Sequence, residues 1–89
     1  MTAPELVLVT MEGCPHCAKF MRSWLACVGD PIAGVKYTRL DIESKRAQRL
    51  KVPGAPFLLF VLPGKKKPYV YKGPRRKKDL QEWVLGFSD

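Results

Sequence analysis

Glu5-Leu6-Val7-Leu8-Val9-Thr10, then Met11-Glu12-Gly13, then Cys14-Pro15-His16-Cys17, is the stretch on which the fold turns. The four consecutive apolar residues read as a short buried strand. Gly13 supplies a turn, and the pattern after the second cysteine is that of an amphipathic helix. This order predicts Cys14 at the helix N-cap and Pro15 at the first helical position, where a missing N–H costs no hydrogen bond. Cys17 follows one turn later. One thiol is expected to be presented and the other tucked behind it.

Two thiols at this spacing match a dithiol/disulfide redox pair. The reactive species is the thiolate, so the site must stabilise anionic sulfur at neutral pH. A helix N-terminus does so through unpaired N–H groups and the positive end of its dipole, and His16 adds a further donor and a source of positive charge. Cys14 is therefore expected to titrate below an ordinary thiol. Cys17, inside the helix, is expected to hold its proton until it resolves a mixed disulfide. A structural zinc site would need four ligands, but outside the motif the chain has no histidine and only Cys27. Two merely structural cysteines would leave the proline and the strand–turn–helix setting unexplained.

Working outward, 89 residues with 46% apolar content and two tryptophans suffice for one small domain, expected to span residues 1–89. No segment approaches the roughly 18 apolar residues that read as a membrane span. The first ten residues carry Glu5 and no basic run, so a secretory leader is not expected and the cytoplasm is the default location. In a reducing compartment three cysteines rarely form a static framework, which favours a cycling pair.

Helix one is expected from Pro15 to about Val28, with Cys17, Phe20, Met21, Trp24, Leu25 and Val28 forming its buried stripe. Cys27, at the flank of that stripe, reads as a small packed hydrophobe, with an intermolecular bridge as the alternative. Val35 to Ile42 reads as strand two and Ser44 to about Lys51 as a short basic helix. Phe57 to Leu62 is apolar on both faces, as in a central strand covered on two sides. Tyr69 to Lys72 is a return strand at an edge. A last helix starts near Arg76 and carries Leu80, Trp83, Val84 and Phe87 on one face. The expected class is α/β, in the order β-α-β-α-β-β-α, with a four-stranded mixed sheet flanked by three helices.

That order, with Cys-x-x-Cys opening the first helix and Val52-Pro53-Gly54-Ala55-Pro56-Phe57 opening the third strand, resembles the thioredoxin-like superfamily. The resemblance implies a thiol-disulfide oxidoreductase of protein disulfides, with Cys14 as nucleophile and Cys17 as resolving thiol. Pro15 and His16 would tune Cys14, and no metal or organic cofactor would be required. It also implies a cis-proline at Pro56, leaving the Ala55 backbone to pair with an extended substrate chain. With only thirteen residues before Cys14, the size resembles glutaredoxin. Met11 and Gly54-Ala55, however, replace that family's glutathione-binding Lys and Thr-Val. Either glutathione or a reductase would serve as electron donor. Tyr71-Lys72-Gly73-Pro74-Arg75 is instead similar to the end of protein disulfide isomerase domains. Leu8 stands where thioredoxins carry a buried acid, so proton removal from Cys17 would rely on water or another group. The Pro-His dipeptide resembles bacterial disulfide oxidases, implying a couple more oxidising than thioredoxin.

Sixteen Lys plus Arg against eight acids leave the chain at +8. The charge concentrates in Lys65-Lys66-Lys67 and Arg75-Arg76-Lys77-Lys78. Cations at a helix start oppose the dipole, so something is expected to compensate. In thioredoxin-like folds this helix start lies on the active-site side, which would let Arg75 and Arg76 rim the substrate groove and select acidic clients. The same charge implies non-specific, salt-sensitive association with nucleic acid. The competing class of function is a non-catalytic basic binding module that docks nucleic acid or an acidic protein, with the cysteine pair structural. Thiol reactivity discriminates the two.

Overall fold

The computed structural model describes residues 3–88. Its elements are β1 (Glu5–Thr10), α1 (Pro15–Gly29), β2 (Lys36–Asp41), α2 (Lys45–Arg49), β3 (Phe57–Val61), β4 (Tyr69–Val70) and α3 (Lys77–Leu85), closed by a 3-10 turn at Gly86–Ser88. This is the expected order. The sheet runs β2-β1-β3-β4, with β1 parallel to β2 and the other pairs antiparallel.

Every residue of β1 is buried, because the strand is central and covered on both faces. Leu6 and Leu8 point to one side, where Phe20, Trp24 and Cys27 of α1 meet Leu58 and Phe60 of β3 and Leu80 and Val84 of α3. Val7 and Val9 point to the other, against Ala47 of α2 and Leu59. The period-two alternation of β1 and β3 thus divides one apolar run between two layers.

Helix α1 is turned relative to its expected stripe. Cys17, Phe20, Trp24 and Cys27 are buried and Met21 is half-buried, whereas Leu25 and Val28 are 60% and 42% exposed. At 100° per residue, Leu25 lies roughly 120° from the centre of the buried arc. The cause is α3, which packs beside α1 and draws the arc round to the Cys27 side. Cys27 is fully buried, and burial pushes its thiol pKa up. Both properties suit a packing residue and neither suits a bridging one.

The expected return strand is shorter in the structure. Tyr71 and Lys72 leave the strand ahead of Gly73-Pro74, although the Tyr71 N–H still donates to the Leu58 carbonyl at 3.0 Å. A polar network fixes α3 over the end of α1. The Tyr37 hydroxyl accepts from the Ile32 N–H at 3.0 Å and donates to Gln81 Oε1 at 2.9 Å, while Gln81 Nε2 donates to the Asp30 carbonyl at 2.8 Å.

On the opposite layer, the buried Glu5 carboxylate accepts from both terminal nitrogens of Arg46 and from the Thr38 hydroxyl, joining β1, β2 and α2. The Arg46 hydrogen bonds hold the Glu5 carboxyl below its usual range. A depressed folded pKa gives stability that is present above the unfolded value, about 4.3, and lost as pH falls through the folded one. Glu5→Gln is expected to cost about 1–2 kcal/mol at neutral pH, since a charge-assisted pair is lost while the partly exposed Arg46 rehydrates. Denaturant melts should show that gap closing below about pH 4. A constant gap across pH would assign the loss to packing instead.

Candidate active site

The site is built at the end of β1, the sheet edge toward which parallel β2 also points. Gly13 turns the chain with φ +73°, a left-handed conformation that glycine adopts without steric cost. The Cys14 N–H donates to the Met11 carbonyl at 3.3 Å, closing the turn. Cys14 is then the N-cap of α1, extended at φ −87° and ψ 111°, with Pro15 at the helix start. Its sulfur accepts the Cys17 N–H at 3.2 Å, so a thiol occupies the capping place usually held by a hydroxyl or carboxylate.

The two thiols titrate in opposite directions. Cys14 is pushed below the usual thiol range, first by a hydrogen bond from the Cys17 thiol, then by the backbone N–H groups of Cys17 and His16 and the charge of Arg75, against an opposing effect of burial. Cys17 is pushed up, first by burial and then by Cys14, with partial relief from the Met11 backbone and the charge of Arg39. His16 thus acts on Cys14 through its backbone N–H, and its imidazole stands outward with Lys19 and Arg75 around a shallow depression. Cys14 is less open than the sequence suggests, at 9% exposed against 5% for Cys17. The Ala55 carbonyl oxygen lies 3.8 Å from its sulfur.

The Ala55–Pro56 peptide is cis, and Pro56 is buried beside the motif. Among the described residues the Ala55 N–H donates to no backbone acceptor, so the residue whose carbonyl lies beside the reactive sulfur also carries a free backbone donor. Pro56 and Phe20 floor a cleft of about 300 Å³ walled by Tyr71, Lys72 and Arg75. On the other side of the motif, Cys14 and Cys17 themselves line a more open depression of about 480 Å³, together with Met11, Glu12, Met21 and Arg39.

The structure brings Cys14, Pro15, His16, Cys17, Ala55, Pro56 and Arg75 together, and it places Arg76 elsewhere. Arg76 is the N-cap residue of α3, and its Nε donates to Asp79 Oδ2 at 2.7 Å. Lys77 pairs with Asp30 at 2.9 Å. These two acids answer how cations are tolerated at a helix start, because Asp79 sits in the first turn and offsets them. Arg39 is the residue that the sequence reading missed. It pairs with Leu8 in the parallel register, and its Nε donates to the Thr10 hydroxyl at 3.1 Å. The available signal was topological, since the C-terminal ends of parallel strands share one edge. Among the described residues no three His, Cys, Asp or Glu side chains are grouped as a metal site requires, and no helix is long and apolar enough to cross a membrane.

No family model and no curated protein sequence matches the chain. Solved structures do. The J-Trx1 fragment of ERdj5 superposes with a TM-score of 0.85 at 18% identity, covering 96% of this chain and 41% of that one. The zinc-bound form of human ERp44 gives 0.80 at 19% identity, covering 96% and 27%. The first thioredoxin domain of mouse protein disulfide-isomerase A4 gives 0.78 at 20% identity, covering 98% and 64%. The chain thus spans less than two thirds of each of these structures, and what the likeness shows is the thioredoxin fold.

Proposed function

We propose that this chain is a thiol-disulfide oxidoreductase whose Cys14/Cys17 pair exchanges electrons with disulfides of protein clients. The observation that carries the reading is the N-cap placement of the Cys14 sulfur, on the Cys17 N–H at 3.2 Å, with the two thiols shifted in opposite directions.

In the reducing direction the Cys14 thiolate attacks one sulfur of a client disulfide. A Cys14–client S–S bond forms, the client S–S bond breaks, and the first client sulfur leaves as a thiolate that takes a proton from water. Cys17 then loses its proton and attacks Cys14 Sγ. The ring disulfide forms, the mixed disulfide breaks, and the second client thiolate departs. Two electrons have moved from the pair to the client. An external thiol or dithiol, either glutathione or a reductase, must restore the pair, and the reverse sequence inserts disulfides. No metal or organic cofactor enters these steps.

The roles follow from position. Pro15 and the His16 backbone shape the helix start that holds the anion, Ala55 offers its N–H to the client backbone, and Pro56 with Phe20 floors the cleft. With Leu8 in place of an acid, the proton of Cys17 leaves to water, and the nearby Arg39 charge eases its departure.

Thiolate absorbance of the reduced protein provides the test. One thiol is expected to titrate below about 8.5 and its partner above it, as macroscopic steps of a coupled pair, with buried Cys27 high as well. A stabilised thiolate also stabilises the reduced form, so the couple should lie above the roughly −270 mV of thioredoxin. Three thiols titrating together near 8.5 would favour the non-catalytic binding module.

A further inference from the structure

Among the described residues Arg75, Lys72 and Lys19 are free of ion pairs, as most of the basic residues are, and what sets them apart is where they gather. Their neighbours Arg76 and Lys77 are bonded to Asp79 and Asp30, and Arg46 is bonded to Glu5. All three free cations are exposed. The Pro56 cleft includes Lys72 and Arg75, the depression beside it includes Lys19 and Arg75, and both share Phe20, so the two adjoin as parts of one grooved face. No acidic residue lines either part.

Cys14 itself lines the depression on the other side of the motif, and the groove lies next to it in the chain and in space, with the Arg75 charge acting on the Cys14 thiol. The walls of the groove include His16, two residues beyond Cys14, and Pro56, the neighbour of the Ala55 carbonyl that lies 3.8 Å from the Cys14 sulfur. A cleft of mixed apolar and polar lining with cations beside it is complementary to a peptide segment that carries carboxylates. It is poorly suited to nucleic acid, which needs open ring faces for stacking. Phe20 is buried, while the Tyr71 ring packs on Trp83 with centroids 5.0 Å apart and its hydroxyl donates to the Pro74 carbonyl.

We infer that this groove recognises client segments in which the reacting cysteine is flanked by Asp or Glu, with Lys19, Lys72 and Arg75 as the residues that determine specificity. The inference rests on the oxidoreductase reading and adds the class of client to it.

Three quenched peptides, alike except for Asp, Ser or Lys on both sides of a strained disulfide, form the assay, with dithiothreitol as the neutral donor. The wild-type kcat/KM should fall in the order Asp, Ser, Lys. The extremes should differ about tenfold at low salt, and the spread should shrink as salt rises. The combined change Lys19→Glu and Lys72→Glu should reverse the order. Lys65→Glu with Lys66→Glu alters the net charge equally at the hairpin beyond Val61, at the far end of β3 from Pro56, and should preserve the order.

Equal wild-type rates on all three peptides would sink the inference and leave the oxidoreductase intact. Loss of the preference in the hairpin variant would also sink it, by tracing selectivity to overall charge. Stronger inhibition by a single-stranded oligonucleotide than by polyglutamate of equal charge would replace the peptide with nucleic acid. Failure of the wild type to reduce any of the three would instead remove the oxidoreductase reading on which the inference stands.

Discussion

Cys14→Ser loses disulfide reduction down to the uncatalysed background, a fall on the order of 10⁴-fold or more by comparison with nucleophile removal in other enzymes. The size follows from the chemistry, because a serine hydroxyl at the same N-cap is a good hydrogen-bond acceptor and a very poor nucleophile toward sulfur. The variant should fold at least as well as the parent, since serine is a preferred capping residue. Circular dichroism and melting would therefore separate lost chemistry from lost structure. Cys17→Ser is the complementary change. It keeps the attacking sulfur on the Cys17 position's backbone N–H but removes the group that releases the client, so a covalent adduct should build up and appear on non-reducing gels.

Resolution by wild-type Cys17 should quicken as pH rises, because burial holds its proton on and only the thiolate attacks. Reduction rates that are unchanged in Cys14→Ser would end the mechanism.

Phe60→Ala is the change with the largest expected structural effect, about 3–5 kcal/mol. Phe60 is 1% exposed near the end of β3, paired across to Leu6 of β1 and Tyr69 of β4. Its ring lies 4.9 Å from that of Phe87 and 5.9 Å from that of Trp83. Truncation removes buried area and opens a cavity between the sheet and α3, which the well-packed surroundings fill only in part. A small domain has roughly 5–15 kcal/mol of stability in all, so the variant should be substantially unfolded at moderate denaturant while the parent is still native. A denaturation midpoint within error of the parent would mean that α3 does not depend on this contact.

The features that were legible in the sequence are those in which local pattern and global packing agree. Leu6-Val7-Leu8-Val9 declared a short buried strand, the Gly13-Cys14-Pro15 order declared the helix start, and Phe57 to Leu62, behind Pro56, declared a central strand covered on two sides. The features that escaped depend on partners distant in sequence. Leu25 and Val28 satisfy the helical period as well as Cys27 does, and only the position of α3 decides which of them is covered. Glu5 looks like an ordinary polar strand end until Arg46, forty-one residues later, comes to meet it. Asp79 and Asp30 divide the basic run 75–78 into paired and unpaired cations, a division invisible in a string of four like charges. Arg39 reaches the cysteine motif only because β2 lies parallel to β1.

Because β1 is shielded on both faces, its amides should exchange with solvent only through global opening of the molecule. The cysteine motif begins four residues after that strand ends. The motif's backbone is thus tethered at its front to the best-shielded segment of the chain, which limits how far the sulfurs can drift while that strand holds.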